Sequence, residues 1–138
     1  MSRILAFDYG TKRIGIATTD PLQIIATGLE TVHSKDIIEY LKKYLGREQV
    51  EQFVVGEPKQ MDGSQSLSAQ HVKGFITLLK KNFPSIPVDT IDERFTSKMA
   101  SSVIAQSGLK KKDRQSKELV DTISATIILQ SYLERKKP

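Results

Sequence analysis

Four carboxylates, far apart along the chain, have the residue type and the setting to do chemistry. Asp8 ends an apolar run, Glu57 and Glu93 each follow a further short apolar segment, and Asp121 lies early in a long amphipathic segment near the C-terminus. In a strand, Asp8 shares a face with Ile4 and Ala6, where an uncompensated charge costs several kcal/mol unless it is hydrogen-bonded, paired or bound to a cation. The structural alternative for Asp8 is a turn in which its carboxylate accepts bonds from the following backbone N–H groups.

The chemistry of these acids depends on whether they meet. Asp8 ends a predicted strand, and Glu57 and Glu93 each follow one, so parallel strands would bring all three to one edge of a sheet. Asp121 begins a helical stripe that continues through Ala125 and Ile128, which turns it towards the core. Its alternative role is that of a first-turn acid that complements the helix dipole.

Acids gathered at a partly dry edge repel one another unless they are protonated or neutralised by a cation. Oxygen-only ligands favour Mg²⁺ or Mn²⁺. Two such ions about 4 Å apart activate a water and stabilise the departing oxygen in phosphodiester hydrolysis. Together, the gathered carboxylates predict metal-dependent chemistry on a phosphodiester.

The elements that must position these acids are read from hydrophobic periodicity and turn signals. Strands are predicted at 4–8, 13–19, within 22–32, at 50–56 and at 88–91, and helices at 35–45, 65–82, 96–106 and 116–134. The first two strands form a hairpin, and the third continues the antiparallel arrangement. The order predicts an α/β fold with a mixed five-stranded sheet, three antiparallel strands then two parallel ones, and helices on both faces.

Composition limits the class of protein. At 138 residues the chain is expected to be one domain, 1–138. It has no cysteine, which excludes disulfides and thiolate metal sites. No apolar run approaches the length of a signal-peptide core or a membrane span, so a cytoplasmic location without membrane contact is expected.

The net charge of +5 arises entirely within residues 98–138, where nine Lys and Arg face four Asp and Glu. Such a local excess favours a polyanionic partner, nucleic acid before membrane, with surface solubility as the alternative. The candidate phosphate contacts are Lys110, Lys111, Lys112, Arg114 and Lys117, just before Asp121, together with Lys12 and Arg13, just after Asp8. A solvated interhelical loop is the plainer interpretation of the larger group.

Four segments now make a family resemblance visible. FDYGTKRIGIA at 7–17, VVGEPKQMDGS at 54–64, DERFTS at 92–97 and KELVDTISATIILQSYL at 117–133 resemble the YqgF (RuvX) family, nucleases of pre-16S ribosomal RNA related to Holliday junction resolvases. The resemblance implies an RNase H-like fold and hydrolysis of phosphodiester bonds during ribosome biogenesis. By match of position, it implies that Asp8, Glu93 and Asp121 are the catalytic acids and metal ligands.

Glu57 departs from the family pattern, which usually has an apolar residue there, so no role is carried over to it. It is either an additional ligand or a loop acid. Asp92 and Glu93 cannot both point inward from a strand, and Glu93 is assigned to the site.

Several functions remain open from the sequence. The expected enzyme processes the 5′ end of pre-16S ribosomal RNA, and the alternatives are a resolvase of four-way DNA or a nucleic-acid-binding module without catalysis. The partner is thus structured RNA or branched DNA, and the protein is a monomer or a homodimer. An actin-like sugar kinase would need a second domain to close around ATP, and this chain has no room for one.

Overall fold

The protein contains a five-stranded mixed sheet with helices packed on both of its faces. The computed structural model describes residues 2–10, 12–57, 67–92 and 117–136. In chain order the elements are β1 Arg3–Tyr9, β2 Arg13–Thr19, β3 Ala26–His33, a 3₁₀ turn Ser34–Asp36, α1 Ile37–Leu45, β4 Val50–Glu57, α2 Leu67–Asn82, β5 Val88–Asp92 and α3 Lys117–Lys136.

The strand order is β3-β2-β1-β4-β5, so β1 lies at the centre of the sheet. β2 is antiparallel to both β1 and β3, whereas β4 is parallel to β1 and β5 is parallel to β4. This arrangement confirms the predicted mixed sheet. The predicted helix at 96–106 lies outside the described residues.

Both faces of β1 are fully buried because its side chains alternate between two separate cores. Leu5 and Phe7 pack beneath α1 and α2, and the Phe7 ring makes edge contacts with Phe53 and Phe75, each at 5.5 Å between centroids. Ile4 and Ala6 pack on the other face against α3. The alternation predicted from the sequence is therefore confirmed.

The third strand begins later than its apolar sequence predicts. Ile24 and Ile25 were expected within the strand, but β3 begins at Ala26 and these two side chains are 63% and 61% exposed. Their N–H groups both donate to the Asp20 carboxylate, at 2.7 and 2.8 Å, in a turn where Gln23 has a φ of 59°. These bonds, the Ile25 one foremost, lower the pKa of Asp20 and hold the loop away from the strand.

The other boundaries lie close to prediction. The helix predicted at 35–45 starts as a 3₁₀ turn at Ser34 and becomes α-helical at Ile37, and Gly46 ends it as expected. β2 matches the predicted 13–19. Among the described helices, none is both long and apolar enough to cross a membrane.

Two isoleucines test the corrected boundary. Ile16→Ala empties a site with 0% exposure and is expected to lower the free energy of unfolding by about 2–5 kcal/mol. Ile24→Ala shortens an exposed side chain and is expected to change the free energy of unfolding by about 0.5 kcal/mol or less. Urea unfolding of both variants measures the difference. Equal losses of stability would mean that Ile24 is buried in the folded protein.

Candidate functional site

Asp8 lies at the carboxyl end of the central strand. It pairs with Gly15 of β2 and is half-buried, one residue beyond the fully buried run that ends at Phe7. By alternation it shares the sheet face of Ile4 and Ala6, which α3 covers. A carboxylate here is close to the core yet accessible from the edge of the sheet.

The hairpin after Asp8 is tightly built. A Cβ atom at Gly10 would lie 2.6 Å from the carbonyl oxygen of Arg13, so no larger residue fits without a shift of the backbone. The N–H of Ser34 donates to the carbonyl of Lys12 at 3.1 Å and ties the hairpin to the end of β3. Both predicted basic residues lie in this hairpin, where Lys12 is exposed and Arg13, half-buried, begins the strand that pairs with Asp8.

The parallel strands bring their carboxyl ends to the same edge. Glu57 and Asp92 are paired as the last residues of β4 and β5. Glu93 follows immediately but lies outside the described residues. Phe7 pairs with Val55, so the next residue of β4, Gly56, is level with Asp8. Glu57 lies one residue beyond that level.

The backbone of Asp121 belongs to the first turns of α3, and its side chain lies outside the description. The stripe predicted to continue from it is buried: Ala125, Ile128 and Tyr132 are at most 6% exposed and belong to the core that contains Ile4 and Ala6. The helix that carries Asp121 therefore covers the sheet face on which Asp8 lies.

Gly28 on β3 sets how closely α3 approaches the sheet. A Cβ atom there would lie 3.2 Å from Thr126 Oγ1 and 3.4 Å from Thr122 Cβ. The Thr126 hydroxyl also donates to the Thr122 carbonyl at 2.7 Å, which fixes its direction. Our sequence interpretation did not single out Gly28, although a glycine inside a strand is a known sign of close backbone approach.

Other predicted site residues fall outside the description. Lys110, Lys111, Lys112 and Arg114 lie in the undescribed segment, and Lys117 is described only as the first residue of α3. Within the described part of the chain, no group of three His, Cys, Asp or Glu side chains is placed to hold a metal ion. The three-acid site therefore stays a prediction, since it needs Glu93 and the Asp121 side chain.

Tyr9, next to Asp8, has a packing role. The sequence left open whether its ring stacks on a base or packs in the hairpin. Its ring stacks on Phe75 of α2, with centroids 4.9 Å apart and an interplanar angle of 22°. Tyr9 therefore joins the core on the face opposite to Asp8.

The chain matches a family model and many curated proteins over nearly its full length. Residues 2–135 match the RuvX model, described as "Holliday junction resolvase". A protein of Phocaeicola vulgatus is 56% identical over 137 residues, with 99% of both chains covered, and one of Flavobacterium psychrophilum is 56% identical over 136 residues with the same coverage. Both are named "Putative pre-16S rRNA nuclease".

Solved resolvases have the same fold. The Fowlpox virus resolvase, in complex with Holliday junction DNA, aligns with a TM-score of 0.61 at 16% identity and covers 96% of this chain and 97% of its own. RuvC of T. thermophilus, also bound to a Holliday junction substrate, aligns with a TM-score of 0.55 at 18% identity and covers 98% and 96%. These likenesses confirm the RNase H-like fold.

The seating of α3 on Gly28 can be tested by a double-mutant cycle. Gly28→Val is expected to lower the free energy of unfolding by about 1–3 kcal/mol because the new side chain meets Thr126 and Thr122. In a Thr126→Ala background Gly28→Val should lower the free energy of unfolding by less, since the Thr126 hydroxyl no longer obstructs the new side chain. Urea denaturation measures both costs. The same cost in both backgrounds would show that Thr126 is not against β3.

Proposed function

Because the chain belongs to the RuvX family, we propose that it is a metal-dependent nuclease that hydrolyses phosphodiester bonds at the 5′ end of pre-16S ribosomal RNA during ribosome biogenesis. Relatives that share more than half of its residues carry the name of pre-16S rRNA nuclease. The location that fits this role is the cytoplasm, with residues 1–138 as one nuclease domain.

One structural observation carries the proposal. Asp8 sits at the carboxyl edge of the sheet, and the helix that contains Asp121 covers the same face of the sheet. Ile91 of β5 also packs on that face, so the two-residue alternation of a strand would return to it at Glu93. These positions support the proposal that three acids, distant from one another along the chain, share one face of the sheet.

The donors suit a hard divalent cation. Asp8 is a half-buried carboxylate beside an apolar core, and the chain has no cysteine to compete as a soft ligand. In the proposal Asp8, Glu93 and Asp121 hold Mg²⁺ or Mn²⁺, as two ions. Bound there, the metal supplies activation of the attacking water and stabilisation of the leaving oxygen.

The basic residues have a separate task. Lys12 and Arg13 follow Asp8 in the hairpin, and the segment with Lys110, Lys111, Lys112, Arg114 and Lys117 leads into α3. In the proposal their charges attract the phosphate backbone and hold it at the acids. Such contacts position a substrate without reading its sequence.

The second candidate function is cleavage of four-way DNA. The description of the family model as a Holliday junction resolvase favours it. A resolvase has to cut two strands symmetrically, so this function would require a homodimer, whereas processing of one RNA end is open to a monomer. The two functions use the same acids and differ in substrate and oligomeric state.

Removal of one acid at a time tests the catalytic assignment. Asp8→Asn and Asp121→Asn are expected to fold and to bind nucleic acid. Their rate of cleavage should fall by about a hundredfold or more, since each removes a charge that the reaction needs. Cleavage of a precursor 16S leader RNA and of a synthetic four-way junction is measured with Mg²⁺ or Mn²⁺ and with EDTA.

Asp36→Asn is the matched control for these variants. Asp36 is exposed and caps α1 without a side-chain hydrogen bond, so its change should leave cleavage intact. Equal cleavage by wild type, Asp8→Asn and Asp121→Asn would show that the acids are structural or that the activity is a contaminant. Cleavage of the junction alone would replace the RNA proposal with the resolvase one.

The basic segment is tested through the salt dependence of binding. Replacing Lys110, Lys111 and Lys112 with Ala should weaken nucleic-acid binding and lower the slope of log K against log salt by about one for each phosphate that the protein no longer neutralises. Replacing the exposed Lys42 and Lys43 of α1 with Ala is the control. Unchanged affinity and slope in the triple variant would remove this segment from the binding surface.

A further inference from the structure

A cavity of about 290 Å³ opens beside the carboxyl end of β1, on the face opposite to Asp8. Tyr9 at the end of β1, Ser34 after β3, and Gln70, His71, Gly74 and Phe75 of α2 contribute to its lining. This volume lies at the lower end of the range for ligand sites, so it suits a planar group the size of a nucleobase. Its position at the proposed catalytic edge gives it access to the same nucleic-acid strand.

The lining offers both kinds of contact that an unpaired base uses. The half-buried Tyr9 ring lines the cavity and is the aromatic surface open to a base, since Phe75, on which it stacks, is 3% exposed. Gln70 and His71 are exposed and carry an amide and an imidazole. Aromatic rings stack on the faces of bases, whereas amide and imidazole groups can bond to their edges.

Gly74 lies at the wall of the cavity. It lies inside α2, where glycine is the least favourable residue after proline. A Cβ atom at Gly74 would meet nothing within 4 Å, so no described neighbour requires the absence of a side chain. The space that a side chain would occupy is at the cavity wall.

Charge distinguishes this cavity from a second one of about 310 Å³. The second cavity is lined by Glu30, Asp36 and Glu39, with Lys43 beside them, and such a surface repels phosphate. α2, by contrast, contains Lys73, Lys80 and Lys81 and no acid between residues 67 and 82. Of the two cavities, the one beside Tyr9 is therefore compatible with a polyanion.

We propose that the cavity beside Tyr9 binds one unpaired nucleobase next to the cleavage point, so that the enzyme selects a substrate with a single-stranded nucleotide there. The proposal rests on the nuclease function proposed above. Asp8 and Tyr9 are consecutive, and their side chains lie on opposite faces of the sheet. A nucleic-acid strand that crosses this edge therefore passes from the acids to the cavity. The site recognises the base and its stacking, a chemistry that RNA and DNA share.

The test fills the cavity without harming the fold. Gly74→Leu projects a side chain into open space, and Gly74→Ala is the matched control, which raises helix propensity to a similar degree but adds a single methyl group. Both variants should unfold at or above the wild-type temperature, as measured by circular dichroism. The probes are a single-stranded RNA of the precursor leader that carries 2-aminopurine, the same strand as DNA, and the blunt RNA duplex.

Gly74→Leu is expected to bind the single strands about 5- to 140-fold more weakly than Gly74→Ala does, the equivalent of losing one base stack of about 1–3 kcal/mol. The quenching of 2-aminopurine on binding should disappear, and affinity for the duplex should stay within about twofold. Weaker binding of the RNA strand alone would add a ribose contact to the site, whereas equally weakened binding of DNA would assign recognition to the base. Either result supports the proposal.

Three results would overturn the inference in distinguishable ways. If wild type cleaves its substrate while Gly74→Leu and Gly74→Ala bind all probes equally, the cavity is not a base site and the nuclease function stands. Equally weakened binding of single strand and duplex would also reject a base site. If wild type neither binds nor cleaves any nucleic acid, the nuclease function fails and the inference fails with it.

Discussion

Burial of β1 on both faces is the constraint on which the remaining structure depends. Ile4, Leu5, Ala6 and Phe7 all have 0% exposure, so helices must cover both sides of the sheet at this strand. A strand buried this way can end in a polar residue only where the cover stops. Asp8 occupies that point, and the acid is therefore placed by the same packing that stabilises the core.

The carboxyl edge has two faces with different chemistry. On the α3 face lie Asp8 and the stripe of the helix that contains Asp121, and on the α2 face lies the aromatic pair of Tyr9 and Phe75. The alternation of a single strand separates a charged surface from an apolar one by one residue. A nucleic acid has the same division, since its backbone is charged and its bases are apolar on their faces.

Three glycines occur at their positions for different physical reasons. Gly10 is required by the carbonyl of Arg13 inside the hairpin, and Gly28 is required by the close approach of Thr122 and Thr126. Gly74 meets no such obstacle. Gly10 allows the tight turn of the hairpin, and Gly28 allows α3 to pack close to β3. Gly74 leaves the surface of α2 uncovered and makes that helix less stable.

Local signals along the chain were enough to predict the mixed sheet and to put Asp8 near the end of β1, which extends one residue further to Tyr9, because period-two burial and turn residues are properties of short segments. The resemblance to one family named the three acids, which no local pattern could bring together. The folded protein alone revealed that Ile24 and Ile25 lie outside β3, that Gly28 seats α3 and that Tyr9 stacks on Phe75. These findings depend either on contacts between residues distant along the chain or on a turn that outweighs the hydrophobic pattern. Local periodicity encodes neither of these two causes.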